Sequence, residues 1–116
     1  IEIDGKVVFS IKEAIQLIDT QKYEVEEFSN ITQLKKIIEN CDLIIFDLEQ
    51  NFNKRIVFKD LRKINSHIKI LGDTTVNKYR IAAKLLGEYV DDLIIFDKKN
   101  KNLINEKIEK LLENKV

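Results

Sequence analysis

The 116-residue chain contains no proline, three glycines and one cysteine. So few turn formers exclude collagen-like, linker-like and turn-dense all-β architectures. The single thiol, Cys41, excludes a disulfide framework and a zinc site built from cysteines. It reads as a partly buried thiol in a reducing compartment. Charge of one sign is also lacking: 20 Lys and Arg offset 20 Asp and Glu. That balance argues against a strongly basic nucleic-acid binder and against an acidic disordered tail. Aromatic residues make up only 8% of the chain, which leaves little for base stacking. No apolar run approaches the roughly 20 residues needed to cross a bilayer. No signal-peptide pattern opens the chain, so a cytoplasmic location is expected. There is no methionine, and the first residue is Ile1. The expectation is one domain, residues 1–116, whose start is trimmed or processed, or which is cut from a longer protein.

What is present suits a folded domain with a substantial core: 44% hydrophobic and 34% charged residues. The wealth of Lys, Ile and Asn fits the bias of an AT-rich bacterial genome. Along the chain, short apolar runs alternate with helical patterns. Lys6–Ser10 reads as a strand, and Ser10 with Glu13 as a capping box opening a helix over 11 to about 20. Tyr23–Phe28 alternates, with Tyr23 and Val25 inward, as an edge strand does. Asn30 caps a second helix bearing Ile31, Leu34, Ile37 and Ile38. Leu43–Phe46 is a continuous apolar run, the mark of a central parallel strand. A third helix follows with Ile56, Phe58, Leu61 and Ile64 broadly apolar, then a strand over Ile68–Leu71. Thr75 is expected to cap a fourth helix holding Tyr79, Ala82, Ala83 and Leu86, with Gly87 where it stops. Val90–Phe96 gives a fifth strand, and a last helix opens at Asn102.

Five strand-then-helix units need no hairpin, and right-handed crossovers place helices on both faces of a parallel sheet. The expected fold is α/β: a doubly wound (βα)5 sheet of order 2-1-3-4-5, the flavodoxin-like arrangement. Residues 1–5 read as an extension or an early start of strand 1. The segment Asp42-Leu-Ile-Ile-Phe-Asp47 reappears as Asp92-Leu-Ile-Ile-Phe-Asp97. With little else matching, this reads as two similar buried strands flanked by acids.

Ligands of such sheets bind outside the carboxyl ends of the strands. Ser10, Asp47, Gly72 to Thr75 and Asp97 fall there. Asp47, following four large apolar residues, can accept a phosphoryl group or bind a hard cation, or it can simply bond loop amides. Asp47, Asp73 and Asp97 together offer an unorthodox cation site; otherwise Asp73 turns outward. The third helix carries Lys54, Arg55, Lys59, Arg62 and Lys63. Like charges at i,i+4 cost a few tenths of a kcal/mol per pair, so the patch fits either an acidic partner or a solvated face. His67 reads as a surface loop residue. The glycine-rich phosphate loop of a nucleotide site is missing.

The chain resembles the receiver domains of two-component response regulators from Lys6 to about Leu112. Asp42-Leu-Ile-Ile-Phe-Asp47-Leu-Glu resembles the strand presenting the phosphoacceptor. Ala82–Phe96 resembles the family's Ala-rich fourth helix, its Gly and the Asp-Asp before strand 5. The resemblance implies Asp47 as phosphoacceptor, phosphorylated by a histidine kinase. It implies Thr74 or Thr75 as the switch hydroxyl, although plain strand alignment puts Gly72 there. It also implies pairing through the face of helix 4, strand 5 and helix 5, where Tyr79, Tyr89 and Lys107 would contribute. Three family features are missing. The acidic pair that binds Mg²⁺ after strand 1 is replaced by Phe9-Ser10-Ile11; Phe96 stands where a Lys closes strand 5, with Lys98 two residues on; and the following Pro is absent. Ser10 and Lys98 are weak substitutes. The expectation is a degenerate receiver, not an enzyme, with neither metal nor cofactor. It would work by protein contact with a kinase, an output domain or a second copy. The alternatives are a working phosphoacceptor and a small-molecule-binding flavodoxin-like domain.

Overall fold

A computed structural model describes residues 5–10, 16–50, 52–95, 99 and 101–113. Five strands form one parallel sheet: β1 (Lys6–Phe9), β2 (Glu24–Glu27), β3 (Leu43–Asp47), β4 (Lys69–Thr74) and β5 (Asp92–Ile95). Their order is β2-β1-β3-β4-β5, the doubly wound arrangement expected from the sequence. Four α-helices are described: α1 (Ile31–Ile37), α2 (Lys54–Ile64), α3 (Tyr79–Ala82) and α4 (Lys101–Glu113). Short 3₁₀ turns extend α1 over Ile38–Asn40 and α3 over Ala83–Leu85. None of the described helices is long and apolar enough to cross a membrane.

Side chains alternate across the sheet and feed two cores. Val8, Ile44, Phe46 and Ile70 face α1, α2 and α3. Val7, Phe9, Ile45, Leu71 and Ile94 face α4, where Ile104 and Ile108 close the layer. β3 is buried at all four apolar positions because both of its faces are covered. Phe46 makes edge-on ring contacts with Phe28 and Phe58, at 5.4 Å and 5.3 Å between centroids, which ties β3 to the loop after β2 and to α2. β2 is the edge strand its alternation predicts, with Lys6 Nζ 3.2 Å from a Glu26 carboxylate oxygen across β1 and β2.

Caps explain where helices start. Asn30 accepts from the Gln33 amide and opens α1, as expected; Asn53 does the same from Ile56 N for α2. Other expectations need correction. Thr75 does not cap the fourth helix: its carbonyl accepts from Lys78 N in a turn, and α3 starts at Tyr79. Ile56, Ile64 and Leu86 are exposed, so α2 and α3 bury narrower stripes (Phe58 with Leu61, and Ala82 with Leu85) than the residue types suggest. Gly87 does end the helical segment, at φ +89°, where an L side chain would be strained. The helix expected over 11 to about 20 lies partly outside the described residues, as do most of the 1–5 segment, Glu13 and Phe96. By Asp19 the chain is already turning, with Asp19 O accepting from Lys22 and Tyr23 amides.

Candidate functional site

The carboxyl ends of β1, β3 and β4 meet at one edge of the sheet. Ser10, just past β1, sends its Oγ to Asp47: the hydroxyl oxygen accepts from the Asp47 amide at 3.1 Å. Asp47 ends β3 half-buried, and its Oδ1 accepts from Glu49 N at 2.9 Å. Phe9, the residue before Ser10, is fully buried in the α4-side core. Asp47 and Asp73 are register partners at the ends of β3 and β4. They share the sheet face that carries Ile45 and Leu71. Asp97 and Lys98 lie outside the described residues.

A divalent cation takes six or more oxygen ligands from a flexible set, or an octahedral set with one or two carboxylates. Here one oxygen of Asp47 is engaged by an amide and the Ser10 oxygen by another. The β1 end contributes a buried phenyl ring in place of acids. Among the described residues, no group of three or more His, Cys, Asp or Glu side chains is placed to hold a metal ion. The described residues at these strand ends do not make up a receiver-type Mg²⁺ site.

Thr74 closes β4 and points to the opposite face from Asp73, the face of Ile70 and Gly72. It is 2% exposed, and its Oγ1 is buried with no hydrogen-bond partner. Thr74 is one of the residues that line a cavity of about 520 Å³ between the β3–α2 loop and α3. Leu48, Phe52 and Leu85 give this cavity an apolar wall, and Lys54, Arg55, Lys78 and Lys84 outnumber the one carboxylate of Glu49. Gly72 makes room for that wall: a Cβ there would sit 2.6 Å from Leu48 Cδ1. Thr75, the other switch candidate, is exposed in the turn. The sequence reading missed this cavity. Its signal was the pair of large apolar residues, Leu48 and Phe52, in an otherwise polar loop after β3.

The proposed pairing face divides. Tyr79 is 43% exposed and Ile81 66% exposed on α3, beside exposed Val76. Tyr89 is a correction: at 8% exposure it is a core residue, with the Arg55 guanidinium 5.4 Å from its ring. Lys107 Nζ donates to Asp92 Oδ2 at 2.9 Å, tying α4 to β5. The basic helix is also partly structural. Arg62 donates to Tyr89 O at 2.7 Å and pairs with Asp91 at 3.1 Å, while Asp91 accepts from Ile70 N. His67 is exposed, as expected. Cys41 is buried, and its thiol donates to Ile37 O at 3.1 Å. Burial pushes its pKa up to about 11, while Lys6 nearby pulls the other way. The Lys6 pKa is raised by its hydrogen bond to Glu26.

Neither a family model nor a curated protein matches the chain in sequence. Solved structures do match in fold. A CheY-like response regulator receiver domain protein from Methanospirillum hungatei JF-1 superposes with TM-score 0.71 at 18% identity, covering 97% of this chain and 96% of that one. A two-component response regulator from Clostridium difficile gives TM-score 0.73 at 16% identity over 95% and 97% of the two chains. Full-length FixJ from B. japonicum gives 0.70 at 14% identity, matching 97% of this chain but 61% of its own. The chain has the CheY-like receiver fold of response regulators.

Proposed function

We propose that this domain is a signalling module of the receiver type that works by protein contact, with a degenerate phosphoacceptor centre. It is a binding module rather than an enzyme. The carrying observation is the end of β1, where Phe9 is buried and Ser10 Oγ is occupied by the Asp47 amide. Phosphoryl transfer to a carboxylate depends on positioning and on neutralising charge at the phosphoryl oxygens. Among the described residues neither an acid nor a cation follows Phe9 at that strand end, which supports a centre poor in the means to gather that charge. The exposed apolar residues of α3 supply a surface for a protein partner, whether kinase, output domain or second copy.

A second reading, in which a histidine kinase phosphorylates Asp47, is favoured by the position of that carboxylate at the mouth of the central strand. Acetyl phosphate separates the two. In the second reading an Asp47 oxygen attacks phosphorus and acetate leaves, so the intact mass rises by one phosphoryl group in the wild type and not in Asp47→Asn. The degenerate centre predicts unchanged mass in both proteins, with Mg²⁺ present. A phosphoryl adduct that disappears in Asp47→Asn would overturn it.

A further inference from the structure

A buried hydroxyl without a partner carries an uncompensated desolvation penalty, and each such group in a native structure calls for an explanation. Thr74 is such a group: its Oγ1 is buried without a partner, and the residue is among those that line the cavity. The cavity falls within the ~300–1,000 Å³ range of small-molecule sites. Its wall pairs an apolar surface, Leu48, Phe52 and Leu85, with cations from both sides, of which Lys78 and Lys84 belong to the α3 segment.

We propose that this cavity binds a small organic anion with an apolar body, of the aromatic carboxylate class. The body packs on Leu48, Phe52 and Leu85, which releases water from apolar surface. Thr74 Oγ1 donates to a polar atom of the ligand and so gains the partner it lacks. Lys78 and Lys84 balance the negative charge at the rim. A neutral ligand would leave that positive field unanswered, and a bare inorganic anion would leave the apolar wall wet. The site lies on the α2–α3 side of the sheet, opposite the face of Asp47 and Asp73. It stands independently of the signalling reading, and no phosphoryl chemistry is involved.

The probe is 2-naphthoate, titrated into the whole chain and followed by amide chemical shifts. Neutral 2-naphthamide and acetate serve as the two halves of the pattern. Saturable shifts are expected at Leu48, Thr74 and Leu85, with 2-naphthamide and acetate each binding at least about tenfold more weakly. Thr74→Val, which keeps the shape and removes the hydroxyl, should weaken naphthoate about tenfold, the scale of a hydrogen bond to a charged group. Lys78→Glu/Lys84→Glu should weaken it by a similar or larger factor while leaving naphthamide unchanged. The amide spectra report whether each variant is folded. Absence of saturable shifts at these amides, equal affinity for naphthamide, or unaltered binding in a folded Thr74→Val would each overturn the proposal.

Discussion

Two single residues set local constraints that experiment can read directly. Gly72 lies in mid-strand, where a side chain would ordinarily be welcome, yet Leu48 occupies the space over it. Gly72→Ala forces Leu48 off the sheet, and overpacking of this kind costs about 1–3 kcal/mol. The expected result is a lower urea midpoint, with Gly72→Ala/Leu48→Ala less destabilised than the sum of the two single variants; a neutral Gly72→Ala would contradict the packing. Cys41 tests burial from the other side. Its thiol is raised from 9.0 to about 11, so the folded state favours the protonated form. That contribution is fully present below pH 9 and is lost as pH rises from 9 through 11. Alkylation of Cys41 at pH 8 should therefore be slow in the folded protein and fast in denaturant. Equal rates would show an accessible thiolate. Of the residue-scale features, the burial of Cys41 was legible from its place before an apolar strand. The burial of Tyr89 was not, because it depends on Arg55 covering the ring and Arg62 holding the adjacent carbonyl, contacts 34 and 27 positions away in sequence.

At the scale of elements, start signals were more legible than lengths. Asn30 caps α1 through its side chain as its type and place predict, and Asn53, read only as the end of a polar stretch, does the same for α2. Asn53→Ala should cost about 1 kcal/mol, seen as a drop in thermal midpoint with no change in the far-ultraviolet spectrum at low temperature; an unchanged midpoint would remove Asn53 as a cap. α3 misled because Thr75 has the right side chain at a place where the backbone makes a turn instead. Its apolar residues also overstate its burial. Tyr79 and Ile81 face outward, while only Ala82 and Leu85 reach the core. Periodicity counts apolar residues without knowing which side of a four-residue helix the sheet will take. The strands were easier, since continuous runs such as Leu43–Phe46 allow only a position buried on both faces.

The sheet order followed from crossover lengths and edge character, which are properties of the whole chain and survive errors in individual helices. β2 shows this: its exposed glutamates suit an edge whichever way α3 is drawn. The candidate site was legible only in part. Asp47 stands where the run of β3 predicts, and the lack of an acid at Phe9 and Ser10 can be read directly from the chain. The hydrogen bond from the Asp47 amide to Ser10 Oγ, and the cavity beside Thr74, come from loops folding back over strand ends. Pairings of that kind have no periodic signature. The central proposal is that, in this receiver fold, the strand end carrying Asp47 stands without the charge apparatus for phosphorylation. The most direct measurement is an amide chemical-shift titration of the chain with Mg²⁺ and then with beryllofluoride, which mimics a phosphoryl group on a carboxylate. The account predicts flat spectra at Ser10, Asp47 and Thr74 through both additions. Saturable, localised shifts at those three residues would contradict it and make the domain a working phosphorylation switch.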